Sequence, residues 1–125
     1  MNLVDSSAWL AYFADTAHAG KFAAAIEDER RLVTPAICLL EVFKVIARQR
    51  GESDALQAIA VMQQGRVIDL DATLALRAAS LGLEHKLPLA DSIVYATARE
   101  LGATVWTQDA DFEGLRDVEY VPAAR

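Results

Sequence analysis

The sequence predicts an α/β domain, a parallel sheet of short strands covered by helices on both faces. Three observations lead there. Short apolar runs recur at Asn2-Leu3-Val4, Leu32-Val33, Val67-Ile68-Asp69-Leu70 and Thr104–Thr107, each bounded by polar or turn residues. Longer stretches between them place apolar side chains at helical spacing. Strands that alternate with helices need crossover connections, and those connections cover a parallel sheet on both sides. The third observation is composition: 54% of the chain is hydrophobic, much of it alanine, which suits buried strands and a helix-rich shell.

The elements follow in order. Asn2–Val4 is a buried strand ending at Asp5. Ser6 or Ser7 can cap a helix over Ala8–Phe13. A second helix over 18–29 puts Phe22, Ala25 and Ile26 on one face and ends in Glu27-Asp-Glu-Arg-Arg31. Leu32-Val33 is a strand, and Thr34-Pro35 marks a helix start with proline at the first helical position. That helix runs from Ala36 to about Arg50, where Gly51 ends it. Ser53 caps the next helix, which closes at Gly65. Val67–Leu70 is the third strand. Asp71 caps a helix reaching about Lys86, with Gly82 inside it as a weak point of ~1 kcal/mol relative to alanine. Pro88 breaks the chain before a helix over 89–102. Thr104–Thr107 is strand four, and Val118–Val121 is a candidate fifth strand at the sheet edge.

Size and composition set limits on function. A chain of 125 residues is read as one domain over 1–125 with a real core. No apolar run reaches the ~20 residues of a membrane span. The opening residues lack a basic start and carry Asp5, so no secretory signal is expected and a cytoplasmic protein is the default. The single cysteine, Cys38, sits in an apolar run and reads as a small core residue. A net charge of -6 argues against nucleic-acid binding by bulk electrostatics, while leaving room for a local basic rim.

The stretch from Leu89 to Phe112 organises the candidate site. It reads as helix, glycine stop, buried strand and acidic turn, with Asp91 opening the helix and Asp109 following the strand. A helix packed antiparallel to its strand brings those two acids to one edge of the sheet. Functional sites of open α/β sheets lie beyond the carboxyl ends of the strands, where Asp5 also falls. Each acid has an ordinary structural reading as well: Asp5 as a helix cap, Asp91 as a first-turn carboxylate favoured by the helix dipole, Asp109 and Asp111 as turn residues. Glu41 interrupts the apolar segment Ile37–Ile46. Glu41, Lys44 and Arg48 share one helix face at i, i+3 and i+7. Two readings stay open there, a solvated stripe or an acid facing a pocket with two cations on its rim for phosphates.

Convergence of Asp5, Glu41, Asp91 and Asp109 has a physical consequence. At ~5 Å and an effective dielectric of ~20, each like-charged pair costs about 3 kcal/mol. Such a cluster takes up protons or binds a cation. An all-carboxylate site suits Mg²⁺ or Mn²⁺, which accept phosphate oxygens and keep several waters. His18 and His85 stand alone, so zinc has no support, and no glycine-rich nucleotide loop is present. A metal-dependent phosphodiesterase is the sharper expectation.

Val4-Asp-Ser-Ser-Ala-Trp9, Leu40-Glu41-Val42, Leu87-Pro-Leu-Ala-Asp91 and Thr107-Gln-Asp-Ala-Asp-Phe112 together resemble a PIN domain, specifically a VapC-type toxin ribonuclease, along essentially the whole chain. The resemblance implies a three-layer α/β/α sandwich with a central parallel sheet of four to five strands. It implies a Mg²⁺- or Mn²⁺-dependent endoribonuclease that hydrolyses RNA with a metal-activated water. The acidic quartet falls on Asp5, Glu41, Asp91 and Asp109, with Asp5, Asp91 and Asp109 as metal ligands. Ser6, Ser7 and Thr107 match hydroxyl positions near the metal, and Asp111 a frequent acid behind it. Gln108 departs from the pattern, since a basic residue is common there. Lys44 and Arg48 are the candidate RNA contacts. The implied partners are a cognate VapB-type antitoxin, a second copy in a homodimer or higher assembly, and operator DNA through the antitoxin alone.

Trp106 in its strand reads as core. Trp9, with Tyr12 and Phe13, is a candidate for a dimer face or antitoxin groove. Competing functions are a structure-specific DNA nuclease, disfavoured by the lack of an insertion for a clamp, and a non-catalytic partner-binding module of the same fold. A phosphorelay receiver is a third: Asp69 or Asp71 would mimic the phosphoacceptor, but no lysine follows strand four.

Overall fold

The computed structural model describes residues 1–123. Five strands, β1 (Asn2–Val4), β2 (Leu32–Pro35), β3 (Arg66–Ile68), β4 (Thr104–Thr107) and β5 (Val118–Tyr120), form one sheet in the order β3-β2-β1-β4-β5. Every pair is parallel. Six α-helices connect them: α1 (Ser6–Ala14), α2 (Gly20–Glu27), α3 (Ala36–Arg50), α4 (Glu52–Met62), α5 (Ala72–His85) and α6 (Leu89–Leu101). The first two crossovers step outward from β1 to β2 to β3, and the third returns past both to β4. Right-handed crossovers then place α1–α4 on one face and α5–α6 on the other. The fold is the expected parallel α/β sandwich, with the fifth strand formed at the edge.

Burial follows the strands. Leu3, Val4, Leu32, Val33 and Val105 form the centre of the core, with Trp9, Phe22, Val42, Met62, Tyr95 and Phe112 packed on them. A smaller cluster of Leu74, Ala78, Ile93 and Ala96 joins α5 to α6. Trp9 is fully buried, stacked on Phe13 at 5.5 Å, so it is a core residue and not part of an exposed partner face. Its indole N–H has no hydrogen-bond partner among the described residues. Trp106 is half-buried and donates to Asn2 Oδ1 at 3.0 Å.

Local chemistry sets several boundaries differently from expectation. Helix α1 is capped by Asp5, whose side chain accepts from the Ala8 N–H, and Ser6 and Ser7 lie inside the first turn. β2 extends through Pro35, which sits as the N-cap of α3 with no N–H to lose. Gly51 ends α3 and directly precedes α4, so Ser53 is a helical residue and not the cap. β3 stops at Ile68, and Asp69 and Leu70 are exposed. Asp71 caps α5 as expected, accepting from the Leu74 N–H at 2.8 Å.

Two glycines serve close packing. Helix α4 ends at Met62, so Gly65 does not close it; a Cβ there would fall 2.6 Å from Leu32 Cγ and 2.8 Å from Leu32 O. Gly82 lets α5 meet α6, since a Cβ would fall 3.0 Å from that of Ser92. Beyond the helix-propensity cost expected there, Gly82 is therefore a contact point between the two helices.

Candidate functional site

β1 and β4 are neighbours, and the chain leaves them in opposite directions across the sheet. This is the switch point where parallel sheets open a crevice beyond their carboxyl ends. Val4 pairs with Trp106, and the Asp5 N–H donates to Trp106 O at 3.1 Å, which sets Asp5 beside Thr107.

Asp5 is buried, 4% exposed. Its Oδ1 accepts from Ser7 Oγ at 2.7 Å and from the Ala8 N–H at 3.2 Å, and its Oδ2 accepts from Thr107 Oγ1 at 2.8 Å. Burial pushes its carboxyl up to about 6 against the pull of these three donors, and the charge of Asp109 adds to the rise. The cap and the site share one side chain, so the structural reading of Asp5 and the chemical one both apply.

Thr107 ties the two strand ends together. Its hydroxyl donates to Asp5 and accepts from the Asp109 N–H at 2.9 Å, and it lies 3.2 Å from Ser7 Oγ. The Gln108 N–H donates to Ser7 Oγ at 2.9 Å. Ser6 faces the other way and donates to Glu41 Oε1 at 2.8 Å, linking α1 to α3. Cys38, fully buried one turn before Glu41, has its thiol pushed up chiefly by burial and also by the charges of Asp5 and Glu41.

A short 3₁₀ helix, Ala110–Phe112, follows β4 and is capped by Asp109, whose Oδ1 accepts from the Asp111 N–H at 2.9 Å. Phe112 is fully buried and pins the turn to the core. Helix α6 runs back along the sheet, so its first turn, with Asp91, returns to this edge. One carboxylate oxygen from each of Asp91, Asp109 and Asp111 lies within 4.8 Å of the others. Asp91 is about half buried, and its carboxyl is pushed up to about 8, first by burial and then by the charges of Asp109 and Asp111 and their hydrogen bonds to its neutral form.

The placement differs in one respect from the quartet expected. Asp91 and Asp109 meet, and Thr107 links Asp5 to the Asp109 backbone, but the third member of the tight group is Asp111, expected from the sequence only as an acid behind the metal. Asp5 stands outside it, its oxygens engaged by Ser7, Ala8 and Thr107. Glu41 reaches the same edge through Ser6. Asp111 was legible in Asp109-Ala-Asp111-Phe112, where a buried aromatic forces the preceding turn to fold back. The role of Thr107 as a shared donor and acceptor had no sequence signal beyond its hydroxyl.

None of these acids forms an ion pair among the described residues. The donor set is all oxygen, clustered, and without a compensating cation from the protein. That combination fits a hard divalent ion, whose charge would relieve the repulsion among the carboxylates. Lys44 and Arg48 are exposed and line an open depression on α3 together with Glu41 and Leu40.

The comparisons with known proteins agree with this architecture. The sequence profile of the PIN domain matches residues 3–118. No curated protein matches the sequence. Among solved structures, a toxin–antitoxin complex from Klebsiella pneumoniae superposes with a TM-score of 0.79 at 23% identity, covering 95% of this chain and 96% of that one. VapC20 of Mycobacterium tuberculosis, a sarcin-ricin loop cleaving toxin, gives 0.79 at 23% identity over 98% of this chain and 100% of that one. The DNA-bound VapBC of Salmonella typhimurium gives 0.72 at 15% identity over 97% and 96%. With a profile spanning nearly all of the sheet and a fold shared with VapC toxins, this chain belongs to the PIN domain family.

Proposed function

We propose that the protein is a Mg²⁺- or Mn²⁺-dependent endoribonuclease, the toxin of a toxin–antitoxin pair. The observation that carries this reading is the group of Asp91, Asp109 and Asp111, three carboxylates within 4.8 Å with no protein cation beside them, at the switch point of a PIN fold. Asp91, Asp109 and Asp111 would hold the ion, with Asp5 adding charge behind Asp109. When bound, a divalent ion supplies an acidified water and screens charge on the phosphodiester. The chain's own residues set the stage for it. Thr107 and Ser7 fix Asp5 in one rotamer, Thr107 orients the Asp109 turn, and Ser6 holds Glu41 so that its free oxygen can orient a water. Lys44 and Arg48 contact RNA phosphates from the exposed face of α3.

The partners follow from the same reading: a cognate VapB-type antitoxin, a second copy in a homodimer or larger assembly, and operator DNA through the antitoxin. Related structures that are toxin–antitoxin complexes, one of them bound to DNA, support it. The chain has no helix long and apolar enough to cross a membrane among its described residues, and the site of action proposed is the cytoplasm.

The test is cleavage of a mixed tRNA and rRNA pool by the purified protein beside Asp91→Asn. Cutting that requires Mg²⁺ or Mn²⁺, stops with EDTA and is lost in the variant is the expected result. Cutting by Asp91→Asn at the wild-type rate rejects the proposed site. Cleavage of single-stranded DNA in place of RNA rejects the substrate.

A further inference from the structure

A groove of about 330 Å³ runs between α1 and α3 and opens at the acidic edge through Ser7 and Gln108. Its floor is apolar, with Leu10, Phe13 and Ile46, and its polar groups are Gln49, Gln108 and Arg50. Its volume lies within the ~300–1,000 Å³ of ordinary ligand pockets. Two features suit it to an anionic occupant. The chain has 18 acidic residues and a net charge of -6, yet none of the residues lining this groove is acidic. Arg50 has no ion-pair partner among the described residues, although it also borders a second cavity that contains Asp54.

We propose that this groove seats the RNA strand on one side of the cut, with Phe13 and its apolar neighbours under a base, the amides of Gln49 and Gln108 reading the base edge, and Arg50 holding a phosphate. The inference rests on the ribonuclease reading above and adds where sequence preference resides. Continuity supports RNA as occupant: Ser7, at the mouth of the groove, donates to Asp5 and accepts from the Gln108 N–H, so a strand in the groove leads directly to the acids. Charge supports it as well. A polyanion approaching a cluster of carboxylates needs an acid-free path with a cation along it, and a guanidinium matches phosphate in a bidentate way. An amide side chain offers a donor and an acceptor together, the pattern that a base edge presents. Lys44 and Arg48 lie on a neighbouring face of α3, so the two faces divide the strand between them.

The experiment uses a fluorescein-labelled, mixed-sequence single-stranded RNA in the full-length Asp91→Asn protein with Mg²⁺, read by anisotropy over a salt series. Arg50→Glu is expected to weaken binding about tenfold or more, the loss of one charge-assisted contact. It should also reduce the salt slope by about 0.7. Arg50→Lys should recover most of the binding, and Arg77→Glu, on α5 on the other face of the sheet, should bind like its parent. In the cleaving background, Gln49→Ala should change which nucleotides flank the cuts in the tRNA and rRNA pool while cleavage persists. Thermal unfolding curves identify any variant that fails to fold, and Gln49→Ala, on an exposed helix position, keeps the test open if Arg50→Glu does. Parent-like RNA affinity in folded Arg50→Glu, with unchanged cut sites in Gln49→Ala, overturns the groove as an RNA seat and turns it over to a polypeptide occupant, while wild-type cleavage leaves the nuclease reading intact. A wild type that neither binds nor cuts RNA overturns both.

Discussion

Thr107 carries no charge, yet Asp5, Asp109 and Ser7 all meet at its hydroxyl. Replacing it with valine keeps the shape and removes the donor to Asp5. Donors to a carboxylate lower its pKa, so Asp5 in Thr107→Val rises above its present value of about 6. The acid limb of the kcat/KM–pH profile should therefore move to higher pH, and stability should fall by about 1–3 kcal/mol from the unpaired buried groups. An unmoved profile would separate Asp5 from the chemistry. Ser6→Ala makes a related point on the other side of α1. It frees Glu41 from its hydrogen bond and should lower kcat with little change in KM, because Glu41 is positioned and not lost. Sequence reading reached these residues as hydroxyls near an acid. Which hydroxyl serves which acid depends on strand register, Val4 against Trp106, and register is a property of the folded sheet.

At the scale of elements, strand and helix identities followed from apolar periodicity, and the departures have local causes. Asp5 displaced the serines as cap because the chain turns immediately after Val4, which leaves Asp5 extended with its carboxylate over the Ala8 N–H. The glycines at 65 and 82 resembled stops or weak points in sequence and proved to be contact points, since a missing Cβ leaves no trace of what it makes room for. Gly65→Ala should destabilise the protein by about 1–3 kcal/mol in denaturant melts, because the clash includes the Leu32 backbone and cannot be relieved by a rotamer change. Gly82→Ala, favourable in an isolated helix, should give no gain here; a more stable variant would mean that α5 and α6 pack less closely than described. The acidic edge was legible because helix α6 and strand β4 are antiparallel neighbours in the sequence. The groove between α1 and α3 was not, since its lining comes from segments far apart in the chain.

For the whole molecule, the acids make stability depend on pH and on metal together. Asp91 has its carboxyl raised from 3.8 to about 8, and Asp5 from 3.8 to about 6. In the interval between those values the folded chain holds protons that the unfolded chain has released, so metal-free stability declines as pH rises from about 4 toward 8. A divalent ion displaces the proton, so its stabilising effect should be small at the acid end and grow with pH. Thermal melts with and without Mg²⁺ across this range check both signs; stability that rises with pH in EDTA would contradict the placement of these carboxyls. The same coupling bears on net charge. Under the ribonuclease reading proposed above, an acidic protein needs its repulsion with RNA neutralised at the site and avoided along the strand, and a bound divalent ion and the acid-free groove would divide those tasks. The central claim is that Asp91, Asp109 and Asp111 form a divalent-metal site, and the most direct measurement is a Mn²⁺ titration followed by the electron paramagnetic resonance signal of the free ion, for wild type and Asp109→Asn at pH near neutrality. Saturable uptake by wild type, competed by Mg²⁺ and greatly weakened in the folded variant, is the result predicted. Folded wild type that leaves all the Mn²⁺ free, or an Asp109→Asn variant that binds it equally well, would contradict the account.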